Sequence, residues 1–79
     1  MHLDIITPEK KLFSGEVSSV KVPGTSGEFQ VLKNHAPIIS TLQKGTVKVK
    51  STDGLKTFNI SGGVIEVLKN KVILLAEAV

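Results

Sequence analysis

The amino-acid sequence predicts an all-β domain of many short strands. Apolar residues recur with a period of two, turn residues interrupt every short run, and no segment carries the longer period of an amphipathic helix. The pattern runs from residue 2 to about residue 77 without a repeat, a low-complexity tract or a linker, so the 79 residues read as a single domain, 1–79.

Leu3 and Ile5 alternate with His2, Asp4 and Ile6 before Thr7-Pro8, and Val20 and Val22 alternate with Ser19 and Lys21 before Pro23-Gly24. Both runs have the alternation of a half-buried strand. Residues 44–50 show it most clearly, with Val47 and Val49 directed to the core and Lys44, Thr46, Lys48 and Lys50 sharing the other side. Asp53-Gly54 then supplies a turn with positive φ, which returns the chain through Phe58 and Ile60 and predicts a hairpin over residues 46–60. Asn70 interrupts the apolar stretch 64–75, predicting a second hairpin, 64–68 with 72–76, that turns at Lys69-Asn70-Lys71. Its strands are apolar on both parities, as in Val72-Ile73-Leu74-Leu75-Ala76. Such a strand is either covered on both faces inside the domain or covered on one face by another protein.

Size and composition narrow the function. A chain this short buries only about 60–65% of its unfolded surface, so a complete apolar core leaves little spare chain for an active site. Domains of roughly 70–80 residues draw extra stability from disulfides, a metal or a partner, and this one has no cysteine. The N-terminus has no signal-peptide pattern and no segment approaches the roughly 20 apolar residues of a membrane span, so the expectation is a soluble, intracellular chain. The net charge of +3 comes from ten lysines and no arginine. Without the planar guanidinium fork, a specific phosphate or nucleic-acid site is disfavoured.

The usual catalytic and cofactor motifs are missing. Gly24-Thr25-Ser26-Gly27-Glu28 lacks the lysine and the following helix of a phosphate-binding loop, and reads first as a tight connection between strands. Two separated His and two separated Asp with no Cys give no metal-ligand cluster, and no cofactor is expected. His35 is the only credible general base, and its plainer reading is a loop histidine bonded to backbone or facing a partner. In Lys33-Asn34-His35-Ala36-Pro37, Asn34 tolerates the left-handed conformation and Pro37 holds Ala36 extended, so the loop presents His35 in a defined direction. The lysines at 44, 48 and 50 read as a solvated strand face, with an anionic lipid or acidic partner as the lesser alternative.

Several segments together carry a family resemblance: His2-Leu3-Asp4, Phe13-Ser14-Gly15, the run from Glu28 through Asn34-His35-Ala36-Pro37, and Ser61-Gly62-Gly63 followed by Glu66-Val67. In this order and spacing they resemble the N-terminal domain of the F-type ATP synthase epsilon subunit, over essentially the whole chain. The resemblance implies a two-sheet β-sandwich of about ten short strands with no catalytic residues. It implies a rotor component of the central stalk, peripheral to the membrane on the cytoplasmic face of the bacterial inner membrane, that helps couple proton flow to ATP synthesis. Its partners would be the gamma subunit and the c-ring of the membrane sector. Carried over by position, Gly24, Thr25, Ser26, Gly27 and Glu28 would approach the c-ring, and Thr7, His35, Ser40 and Thr46 would lie on the gamma side. The family often has glycine where this chain has Asn34, and asparagine preserves the backbone conformation there. Many members continue into a C-terminal helical hairpin, which is expected to be absent from these 79 residues.

Two other readings compete. A small nucleic-acid-binding β-barrel would suit the basic balance, but such barrels stack bases on aromatic side chains and this chain has three Phe and no Tyr or Trp. A lipoyl- or biotinyl-type carrier presents a lysine on a hairpin, and Lys69 and Lys71 flank a suitable turn, but the residues around them lack those families' motifs.

Overall fold

The computed structural model describes residues 1–77; residues 78 and 79, the end of the expected domain, lie outside the described residues. Nine strands follow one another with no helix between them: β1 (His2–Ile6), β2 (Lys11–Glu16), β3 (Ser19–Gly24), β4 (Gly27–Leu32), β5 (Ile38–Leu42), β6 (Gly45–Ser51), β7 (Gly54–Ile60), β8 (Gly63–Leu68) and β9 (Lys71–Ala76). The expectation of about ten strands is met by nine.

The strands form two layers. One runs β2-β1-β9-β8-β5, the other β4-β3-β6-β7, and they are joined at a corner where Gly24 of β3 pairs with Leu42 of β5. The corner is held by Thr25 N–H donating to the Thr41 carbonyl (3.1 Å) and Gln43 N–H donating to the Pro23 carbonyl (2.8 Å). All pairings are antiparallel except β1 with β9, which places the first strand beside the last. The shortest dimension, 18 Å, accommodates two sheets about 10 Å apart.

Strand alternation fills the space between the layers. Leu3 and Ile5 of β1, Ile65 and Val67 of β8, and Val72 and Leu74 of β9 meet Val20 and Val22 of β3, Val31 of β4, and Val47 and Val49 of β6, all essentially without solvent contact. At the open end between β2 and β7, Phe13 and Phe58 pack edge to face at 6.0 Å, and Lys56 Nζ lies 5.5 Å over the Phe13 ring. Aromatic side chains and a lysine stem thus seal the side where the layers do not hydrogen-bond.

Both expected hairpins are present, with turns placed slightly differently. β6 and β7 close through Thr52 and Asp53, and the positive φ, 110°, falls on Gly54 at the first residue of β7. This is a turn completed by a glycine bulge rather than a two-residue Asp-Gly turn. β8 and β9 close through Lys69 and Asn70, both at positive φ (50° and 60°), so Lys71 belongs to β9 and not to the turn. Two successive left-handed residues are what a tight hairpin of the right twist requires. Asn34 adopts the predicted left-handed conformation at φ 65°.

Candidate docking face

The outer face of the five-stranded layer carries the largest break with ordinary surface chemistry. Strand register places Thr41, Val64, Leu75 and Ile6 in one cross-strand row, and Ile39, Glu66, Ile73, Asp4 and Ser14 in the next. Within this field Ile39 is 73% exposed, Leu75 51%, Leu68 50% and Val64 38%. The doubly apolar strand is not covered on both faces inside the domain: Val72, Leu74 and Ala76 point into the core, while Leu75 points to solvent. Several exposed apolar side chains on one sheet face are a feature of interaction surfaces.

Beside Ile39 and Leu68 lies a groove of about 370 Å³ lined by Pro37, Ile38, Ile39, Glu66, Val67 and Leu68. Glu66 is its one charged residue, and no cation lies within ion-pair distance of its carboxylate among the described residues.

The far end of the same face is polar and internally paired. His2 Nε2 lies 3.3 Å from Asp4 Oδ1, His2 Nδ1 lies 3.3 Å from Glu16 Oε2, and the Met1 amino group lies 3.2 Å from Glu16 Oε1. A hydrogen bond from Ser14, with Lys11 and His2 nearby, holds the Asp4 carboxyl below its ordinary value against the opposing effect of desolvation. The Met1 ammonium and then His2 do the same for Glu16. The two ring nitrogens address different carboxylates, so the trio does not converge on one point, and no group of residues able to hold a metal ion occurs among the described residues.

The outer face of the four-stranded layer differs in charge. Lys21 and Lys48 are directly paired, Lys50 is next in the row, and Thr46 shares their side as the alternation predicts. Lys21 reaches Glu28 at 3.5 Å.

The four residues expected on the gamma side do not share one face. Thr7 is buried at the β1–β2 turn, where its hydroxyl donates to the Lys10 carbonyl and accepts from the Lys10 N–H (3.0 and 3.1 Å). His35 lies on the β4–β5 loop, its Nδ1–H donating to the Ala36 carbonyl at 2.7 Å. Ser40 shares the inward parity of β5 with Leu42, while Thr46 sits on the outer face of the other layer and donates to Asn59 Oδ1 (2.9 Å). His35 and Ser40 thus lie on the loop leading into β5 and on β5 itself, whereas Thr7 and Thr46 lie elsewhere in the fold. The residues that build the face, Ile39, Val64, Leu68 and Leu75, were outside the predicted set. The signal for three of them, Val64, Leu68 and Leu75, was the double parity of residues 64–75.

The segment 24–28 forms one hairpin tip. Gly24 pairs with Gly27 across Thr25 and Ser26, and Thr25 Oγ1 lies 2.9 Å from Thr41 Oγ1. Gly27 has φ 129°, as a glycine turn needs, but Gly24 is required for space: a Cβ there would lie 2.6 Å from the Gly27 carbonyl oxygen and 2.8 Å from the Phe29 ring.

The described residues define a small two-layer β-sandwich whose five-stranded layer leaves apolar side chains uncovered on its outer face. Comparison with known proteins gives the family. Residues 1–79 match the family described as ATP synthase, Delta/Epsilon chain, beta-sandwich domain, and the chain belongs to it. It is 53% identical to an ATP synthase epsilon chain of Chlorobaculum tepidum, covering 98% of this chain and 89% of that protein. It is 46% identical to an ATP synthase epsilon chain of Caulobacter vibrioides, covering 98% and 90%. Among solved structures it superimposes on a chain of the Euglena gracilis mitochondrial ATP synthase with TM-score 0.88 and 26% identity, spanning 98% of this chain and 51% of that one. A chain of the Tetrahymena thermophila mitochondrial ATP synthase, from a structure of its central stalk and c-ring, shares the fold with TM-score 0.85 at 17% identity, spanning 96% of this chain and 62% of that one. The family places this chain among the non-catalytic stalk subunits of ATP synthase.

Proposed function

We propose that this chain is a rotor component of a proton-translocating F-type ATP synthase, docking on the gamma subunit through the outer face of its five-stranded layer and helping couple proton flow to ATP synthesis. One observation carries the reading: Ile39, Val64, Leu68 and Leu75 stand in solvent on one sheet face although the core behind them is full. Burying such a face against a partner contributes about 25 cal/mol for each Å² of apolar surface removed from water. His35, on the loop that leads into β5, would lie beside that contact. The tip at Gly24, Thr25, Ser26, Gly27 and Glu28 is where the c-ring would be met, and the chain would reach the cytoplasmic face of the bacterial inner membrane only through the complex.

Binding of the purified chain to a gamma subunit from the same source, followed by calorimetry, tests the docking. A stable pair that Leu75→Asp abolishes, with the variant still folded, supports it; absence of any complex refutes it. Added to an enzyme lacking its epsilon subunit, these 79 residues are expected to support coupled ATP synthesis without restraining hydrolysis, and strong ATP-sensitive inhibition would contradict that.

A further inference from the structure

We propose that the outer face of the four-stranded layer rests on an anionic lipid surface, held by Lys21, Lys48 and Lys50 with Leu32 and Leu55 at its two margins. The complex brings the chain to the membrane; this contact is a further one, made directly to lipid by the layer that gamma docking leaves free.

Strand register assembles the face from segments far apart in the chain. One cross-strand row sets Lys21 directly opposite Lys48, and the adjacent row runs Leu32, Ser19, Lys50, Leu55. With neighbouring strands about 4.8 Å apart, the two leucines stand about 14 Å from each other across the row. Both leucines stand largely in solvent. Among the outward residues of β3, β4, β6 and β7, Glu28 is the only acidic one, and it reaches Lys21 at 3.5 Å. Lys48 and Lys50 have no carboxylate within ion-pair distance among the described residues. Like charges directly opposite each other on a sheet are destabilising, so Lys21 beside Lys48 is an arrangement that an external anionic surface relieves. The other layer has no such surplus, because its outer face mixes Lys11 and Lys71 with Asp4, Glu16 and Glu66.

Composition selects lipid among anionic partners. Protein interfaces are enriched in aromatic residues, Met and Arg and depleted in Lys, whereas this face carries three lysines and none of the enriched types. Carboxylate or phosphate held at one fixed point is best gripped by the guanidinium fork, which the chain lacks throughout. Single-stranded nucleic acid stacks on aromatic side chains, but Phe29 and Phe58 take the inward parity of β4 and β7 and pack against the core. A delocalised layer of headgroup charge needs only lysines close to it, and leucines at the margins gain by entering the headgroup region.

Co-sedimentation of the chain with vesicles at millimolar lipid tests the proposal, using phosphatidylglycerol mixed with phosphatidylcholine against phosphatidylcholine alone. The chain is expected to bind the anionic vesicles at low salt, to leave them as salt rises, and to ignore the neutral ones; no binding to the anionic vesicles overturns the proposal. A lysine near such a surface contributes about fivefold in partitioning, so Lys48→Gln together with Lys50→Gln is expected to weaken binding about twentyfold. Lys10→Gln together with Lys71→Gln removes the same charge elsewhere in the fold and is expected to cost less than about threefold. All four lysines are exposed, so neither pair disturbs the core. Equal losses from the two pairs would overturn the assignment to this face. Leu55→Ser is expected to weaken binding without altering its salt dependence, and unchanged affinity would overturn the part given to the leucines. Tighter binding to a single-stranded oligonucleotide than to anionic vesicles would overturn the choice of lipid. None of these measurements involves the gamma subunit, so their failure leaves the gamma-docking reading standing.

Discussion

Asn34 and Asn70 clasp each other across the end of the sandwich: Asn34 N–H donates to Asn70 Oδ1 at 2.6 Å and Asn70 Nδ2 donates to Asn34 Oδ1 at 2.9 Å. Both residues are left-handed, and the Asn70 carbonyl also accepts the His2 N–H at 2.9 Å. The β4–β5 loop, the β8–β9 turn and the start of β1 are therefore tied at one residue. Because the loop leads directly into β5, the clasp sets the position of His35 and Pro37 relative to the docking face.

Asn70→Gly keeps the left-handed turn but removes the clasp, and is expected to lower stability by about 1–2 kcal/mol, the worth of two modest hydrogen bonds. Asn70→Ala is expected to cost about 1 kcal/mol more, because alanine must also hold a left-handed conformation. Urea unfolding of the three proteins checks both steps, and equal midpoints for glycine and alanine would contradict the backbone part of the argument.

Neighbouring leucines on β9 are expected to behave oppositely. Leu74 is fully buried and Leu75 is half exposed, so Leu74→Ala is expected to cost about 2–5 kcal/mol in the isolated chain. Leu75→Ala is expected to cost well under about 1 kcal/mol while weakening gamma binding. Thermal unfolding and calorimetry separate the two effects.

Gly24→Ala is expected to destabilise the domain by about 1–3 kcal/mol, the range for forcing an added methyl into a packed site. Its Cβ would meet the Gly27 carbonyl and the Phe29 ring together. A thermal midpoint equal to the parent's would show that the corner yields more easily than its geometry implies.

Acid is expected to weaken the fold through Asp4 and Glu16. Both carboxyls are held below their ordinary values in the folded chain, so the unfolded chain takes up these protons at higher pH than the folded one. The stability they contribute is complete above the ordinary carboxylate range and is lost as pH falls through the lower folded values. Urea midpoints measured from neutral pH downward should fall less steeply in an Asp4→Asn, Glu16→Gln double variant than in the parent.

Local chemistry made much of this protein legible from its residues. Period-two alternation reported the strands around Leu3, Val20 and Val47, and Asn34, Asp53-Gly54 and Asn70 reported breaks in the chain, because backbone preference and side-chain parity act over a few neighbouring residues. The apolar excess of residues 64–75 likewise announced a surface needing cover. Tertiary structure alone decided which residues provide it, since the parallel pairing of β1 with β9 and the single-bridge corner at Gly24 and Leu42 join segments far apart in the chain. Those pairings put Ser40 on the inner side, Thr46 on the opposite layer and Ile39 on the exposed face. No local pattern encodes them: they follow from how two twisted sheets close over one core.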